Sequence, residues 1–259
     1  MADNARKEML NTLGELKKPV KLIVFKNTVE TEGDREALEL ARTVKTLSSR
    51  IGLEIYDLVM DRDKAEQYGI RQVPATVVLG MDGRAARFYG ALEGIFVTVL
   101  LETVRAVSHE KIWFPENIRR TLMLLERVVG IKVFVETDCP QCKPMAETAL
   151  GLAFENEFIS TDIINAADFP DLLKKNSVKI LPLILFGENI RREGHVSEAE
   201  FLELIFKAEG LREERAKHCL ICGKSSPDII CDECKIRIQA EAVDHKLRGE
   251  KLKRSDNVV

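Results

Sequence analysis

Apolar residues recur along the chain at two periods. Met9, Leu13 and Leu16 share one side of a helix over residues 4–16, and Lys17-Lys18-Pro19 stops it. Val20–Phe25 is a continuous apolar run, read as a buried strand. After a polar loop (27–34), Leu40, Val44, Leu47 and Ile51 stripe the next helix. Leu53–Val59 reads as a strand and Asp61–Gly69 as a short helix. Val73-Pro74 leads into the strand Ala75–Leu79; Asp82-Gly83 centres a hairpin turn, and Ala85–Tyr89 returns. Phe96, Val99, Leu100 and Val107 then face a helix.

The same order now recurs. Ile118, Leu122, Leu125 and Val129 form a helix face, and Ile131–Val135 a strand. Met145, Ala149 and Leu152 mark the following helix, Phe158–Ile164 a strand, and 168–176 a short helical piece. Leu181-Pro182 leads into Leu183–Phe186; Gly187-Glu188-Asn189 turns the chain into Ile190–Glu193, and Phe201, Leu204 and Ile205 face a last helix. Pro74 and Pro182 lie 108 residues apart, Phe25 and Phe134 109. The pattern therefore describes two copies of one α/β unit of about 110 residues, joined near Ser108–Asn117. In each copy the first two strands, linked through a helix, are expected to be parallel, and the last two antiparallel.

Composition narrows the class. Of the 259 residues, 45% are hydrophobic, enough for real cores, and the net charge of −3 does not favour a nucleic-acid binder. The polar start, Met1–Glu8, has no signal-peptide character, and the longest apolar run, Ile95–Leu101, is too short to span a bilayer. A soluble cytoplasmic protein is expected. The six cysteines fall as three C-x-x-C pairs, which in a reducing compartment mean metal or redox chemistry.

The first pair, Cys139 and Cys142, sits in Thr137-Asp138-Cys139-Pro140-Gln141-Cys142, between the strand 131–135 and a helix. Backbone N–H groups and the positive end of a helix favour a thiolate, which is the attacking species in disulfide exchange. This order, with a C-x-x-C after the first strand and a proline opening the third, resembles the thioredoxin fold. Two copies in tandem resemble the protein disulfide oxidoreductase (glutaredoxin-like) family, and are similar to the amino-terminal domain of the alkyl hydroperoxide reductase flavoprotein subunit. The resemblance covers roughly residues 2–210. It implies that Cys139 is the nucleophile, Cys142 the resolving thiol, and Pro182 a cis-proline beside them, with Leu181 offering backbone groups to a substrate strand. It also implies a flavoprotein disulfide reductase upstream and protein disulfides or a peroxiredoxin downstream. Copy one departs from it: Gly33 and Glu36 align with the cysteines, and no thiol occurs in that copy. No G-x-G-x-x-G fingerprint appears, so no flavin or nicotinamide is expected in this chain.

A charged helical linker, 211–218, leads to Cys219, Cys222, Cys231 and Cys234. Two such knuckles complete a tetrahedral four-sulfur site, with structural zinc expected first and iron second; a second redox dithiol system is the competing reading. Ile236, Ala240, Val243 and Leu247 then stripe a helix expected to dock on the ribbon, on the α/β units or on a partner. Residues 235–259 hold seven Lys/Arg against four Asp/Glu, but no aromatic residue follows Phe206, which argues against nucleic acid.

The fold expected is α/β. It comprises two tandem thioredoxin-like folds (mixed four-stranded sheets flanked by helices) at 1–110 and 111–210, then a zinc-ribbon-like module with a helix at 211–259. The expected function is thiol–disulfide exchange with protein disulfides through one site. The alternative is a non-enzymatic adaptor whose zinc module and thiol-less unit bind a partner protein.

Overall fold

The structure is a computed structural model that describes residues 2–210 and 218–255. The expected linker at 211–217 lies outside them. The first unit runs α1 (Ala2–Leu13), β1 (Val20–Lys26), α2 (Glu32–Leu47), β2 (Ile51–Asp57), α3 (Arg62–Tyr68), β3 (Ala75–Leu79), β4 (Ala85–Tyr89) and α4 (Ile95–Ser108). The second runs α5 (Glu116–Leu122), β5 (Val129–Val135), α6 (Cys142–Glu155), β6 (Ile159–Asn165), α7 (Pro170–Lys175), β7 (Leu183–Phe186), β8 (Ile190–Glu193) and α8 (Glu198–Glu209). The tail adds α9 (Asp232–Ser255).

Each unit has its strands in the expected sense: β1 pairs parallel with β2 and β3 antiparallel with β4, as β5 does with β6 and β7 with β8; β1 also pairs antiparallel with β3, and β5 with β7. The two expected four-stranded sheets are, however, one. β4 pairs parallel with β6, giving the order β2-β1-β3-β4-β6-β5-β7-β8. Pairing the two edges satisfies backbone groups that each unit alone would leave open to water or to another chain. At the seam Arg87 on β4 forms an ion pair with Asp162 on β6, both largely buried.

Two expected boundaries shift for identifiable reasons. The first helix stops at Leu13 because Gly14 turns left-handed (φ 61°), and Leu16 is buried from the loop beyond. The helix striped by Ile118, Leu122, Leu125 and Val129 ends at Leu122. Val129 instead begins β5, so sheet pairing overrides a helical period there.

α4 explains the apolar run at 95–101. It touches α1, β1 and β3 of its own unit and α6 of the other, so Phe96, Val99, Leu100, Leu101 and Val104 are all buried. No helix among the described residues is long and apolar enough to cross a membrane.

The tail helix docks on α8, but not through the stripe expected from the sequence. Cys234, Ile238 and Ala242 are buried, whereas Ile236, Ala240, Val243 and Leu247 face solvent. Charge decides the rotation. Lys235 reaches Glu203 at 2.8 Å and Lys246 pairs with Glu198, both carboxylates being nearly buried on α8. Burial pushes Glu198 and Glu203 up, but the lysines outweigh it and hold both below the usual glutamate range.

The seam pair supplies a test of the joined sheet. Removing one partner of a charge-assisted hydrogen bond leaves the other without compensation. Asp162→Ala is expected to lower the unfolding free energy by about 2 kcal/mol, read as a lower urea midpoint.

Candidate active site and metal centre

The loop between β5 and α6 carries the dithiol. Cys139 and Cys142 form a disulfide, with their Cα atoms 5.3 Å apart. Cys142 is fully buried as the first residue of α6, and Cys139 is half-exposed in the turn before it. The Cys142 N–H donates to the Cys139 carbonyl at 3.0 Å, closing a tight turn. Cys139 thus lies just outside the helix rather than in its first turn, and is the less buried of the two. Pro140 and Gln141 between them are exposed.

Pro182 reaches the same end of the sheet through strand register. Phe134 pairs with Leu183, so the chain leaving β5 toward the dithiol and the chain entering β7 from Pro182 are neighbours. The Leu181–Pro182 bond is cis, as is Val73–Pro74 in the first unit. There Gly33, aligned with Cys139, lies beside the proline: a Cβ built on Gly33 would sit 3.5 Å from Pro74 Cγ.

The thiol-less loop has a different local solution. Thr31 caps α2, accepting from the Asp34 N–H, while the Asp34 carboxylate accepts from the Thr31 N–H at 2.9 Å. Asn27 also donates to Asp34 through its backbone and side chain. Burial pushes the Asp34 carboxyl up, but the hydrogen bonds from Asn27 and Thr31 outweigh it and hold it below its ordinary value. This box starts α2 at Glu32. In the second copy Pro140 stands where Asp34 would be, offers no cap, and α6 starts only at Cys142.

The first unit nevertheless forms one wall of the dithiol site. Its β4–α4 loop presses on the dithiol loop: the Ile95 N–H donates to the Thr137 carbonyl at 3.3 Å, and a Cβ on Gly94 would lie 2.8 Å from that oxygen. The Ala91 N–H donates to Asp168 Oδ2 at 2.7 Å. Lys143, next to Cys142, reaches Glu102 on α4 at 3.1 Å and Glu147 on α6 at 3.6 Å. Burial, then the hydrogen bond with Glu102, push the Glu147 carboxyl up to about 7; Lys143 acts in the opposite direction. Sequence reading missed this cluster. Lys143 was visible beside the motif, but nothing local ties Glu102 to it.

The four tail cysteines converge. Their sulfurs all lie within 4.8 Å of one another, and Cys222 and Cys231 Sγ are 3.7 Å apart. A tetrahedral site with Zn–S bonds of about 2.3 Å sets neighbouring sulfurs about 3.8 Å apart, so the arrangement fits a metal ion. Backbone N–H groups are already aimed at the sulfur. Cys231 N–H donates to Cys219 Sγ at 3.3 Å. Burial pushes the Cys219 thiol up, yet the N–H groups of Cys231, Cys222 and Ile221 bring it down to about 6. Gly223 N–H donates to the Cys219 carbonyl, and Lys235 N–H to that of Cys231, closing the two knuckles.

Comparison with known proteins matches the thioredoxin domain to residues 129–207, the second unit. The NTD_N/C domain of the alkylhydroperoxide reductase AhpF from Enterococcus faecalis superposes with a TM-score of 0.72 at 22% identity. That match covers 78% of this chain and 98% of that one. A protein disulfide oxidoreductase from Aeropyrum pernix gives 0.74 at 24% identity, covering 81% and 94%. The chain has a tandem thioredoxin fold. Both relatives named by the sequence resemblance are thus matched in fold. Sso1120 from Sulfolobus solfataricus is more distant, at 0.51 and 20% identity over 72% of this chain and 95% of that one. No curated protein matches the chain.

The thioredoxin unit carrying the dithiol yields a pH prediction. The folded state holds a proton near Glu147 that an unfolded glutamate, with a value of 4.5, releases earlier. Between about pH 4.5 and 7 the native state therefore binds more protons than the unfolded state, and stability falls as pH rises. Glu147→Gln is expected to flatten that part of the stability–pH curve, measured by denaturant midpoints across the range.

Proposed function

We propose that this chain is a thiol–disulfide oxidoreductase that exchanges electrons with protein disulfides through one site, Cys139/Cys142. The observation that carries the reading is the asymmetry of the pair: one cysteine partly exposed in a turn, its partner buried at the helix start. In the reducing direction the Cys139 thiolate attacks one sulfur of a client disulfide. A mixed disulfide forms and the first client thiolate leaves. Cys142 then attacks Cys139 Sγ, expelling the second client thiolate and leaving the intramolecular disulfide present in this structure. Two electrons pass to the client, and two protons follow from the dithiol. Oxidation of a client is the same sequence reversed.

Pro182 and Leu181 are proposed to line the client groove, with Leu181 backbone groups pairing with an extended client segment. The named neighbours, an alkylhydroperoxide reductase subunit and a protein disulfide oxidoreductase, support partners of two kinds. These are a flavoprotein disulfide reductase as electron donor, and protein disulfides or a peroxiredoxin as acceptor. Residues 1–110 are read as the thiol-less scaffold unit and 111–210 as the redox unit, in a reducing, cytoplasmic setting.

For the segment 211–259 we propose structural zinc held by Cys219, Cys222, Cys231 and Cys234. The ion would offset the charge of crowded thiolates and cross-link the two knuckles.

Two measurements test these readings. Cys139→Ser is expected to abolish insulin reduction, while Cys142→Ser accumulates mixed disulfides with clients; full activity in Cys139→Ser would refute the redox site. Elemental analysis is expected to find one zinc per chain, lost in Cys219→Ser without loss of the dithiol activity. A four-cysteine set that binds no metal would refute the zinc assignment.

A further inference from the structure

The four tail cysteines are not equivalent. Cys219 and Cys234 are each 2% exposed and pack into the main core beside Ile229, Ile230 and Ile238. Their sulfurs are also engaged as acceptors. The Cys231 N–H donates to Cys219 Sγ at 3.3 Å, and Arg237 Nη2 donates to Cys234 Sγ at 3.6 Å. Cys222 is exposed and Cys231 partly so, with their sulfurs 3.7 Å apart. Each C-x-x-C pair thus joins an inner to an outer sulfur, and the two outer sulfurs meet across the knuckles.

We infer that Cys222 is an oxidation site for hydroperoxides, and that the product is a Cys222–Cys231 disulfide linking the two knuckles. Release of an ion rests on the zinc reading above; the disulfide does not. A metal-ligating cysteine is a thiolate, and a thiolate that solvent reaches is the form peroxide oxidises. The Cys222 thiolate attacks one peroxide oxygen, the O–O bond breaks, and hydroxide leaves, making Cys222 a sulfenic acid. The Cys231 thiolate then attacks Cys222 Sγ, and the sulfenic oxygen departs as a second hydroxide. Two thiolates have given two electrons to one peroxide. The sulfurs close from 3.7 Å to about 2.05 Å. Cys219 and Cys234 alone do not complete a tetrahedral shell, so the hold on an ion is lost. The segment keeps its place, because Ile229 and Ile230 stay buried and the new bond ties the same two knuckles.

The test uses the full chain loaded with zinc and with Cys139–Cys142 already oxidised, as in this structure, so that added hydrogen peroxide is spent on the tail. After an equimolar addition, free thiols are blocked and the chain is digested without reduction. The peptide map is expected to show a Cys222–Cys231 link, with zinc released to a chromogenic chelator and taken up again after dithiothreitol. Cys222→His, which keeps a set of four zinc donors, is expected to release zinc roughly tenfold more slowly. Should that variant bind no zinc, the wild-type map still decides. Links within the knuckles, Cys219–Cys222 or Cys231–Cys234, overturn the inference, as do four intact thiols after peroxide. A chain that held no zinc yet forms the Cys222–Cys231 link upholds it and refutes the zinc assignment alone.

Discussion

The parallel pairing of β4 with β6 is the contact on which the rest of the molecule depends. Two thioredoxin units could each close a core alone, yet each would expose the edge of its sheet. Joining those edges makes one eight-stranded sheet and fixes the units in register. α4 is then covered by α6, and the loop before α4 lies against the dithiol loop. The thiol-less unit therefore lies against the dithiol loop without contributing a thiol.

The two copies show how little is needed to move a helix start. In copy one an acid three residues after Thr31 completes a capping box, the helix begins at once, and the loop becomes rigid helix. In copy two a proline occupies the acid's place. The helix begins four positions later in the alignment, which leaves Cys139 partly exposed in a turn. A difference of one capping residue thus separates a loop closed by a capping box from one that leaves a disulfide cysteine ahead of its helix. Both copies keep a cis-proline at the corresponding place, next to Gly33 in one and at the dithiol end of the sheet in the other.

The tail follows a different logic. Its four sulfurs converge at one end of a segment whose Cys219, Ile229, Ile230 and Cys234 pack into the main core, and the Cys231 N–H donates to Cys219 Sγ. Its helix is held to the body by buried Ile238 and Ala242 and by lysines paired with nearly buried glutamates, and this leaves its apolar stripe outward.

The order of elements, the duplication, the dithiol and the four-cysteine set were all legible in the chain. They depend on local periodicity and on residue types that have few other uses, such as paired cysteines and a proline opening a strand. Three features were decided by tertiary structure. Two sheets became one because edge pairing is a contact between strands 70 or more residues apart that leaves no local mark. Glu102 came to share Lys143 with Glu147 because two helices from different units cross there. The rotation of α9 was settled by glutamates on another helix, since a helix with two apolar stripes does not itself say which one is buried.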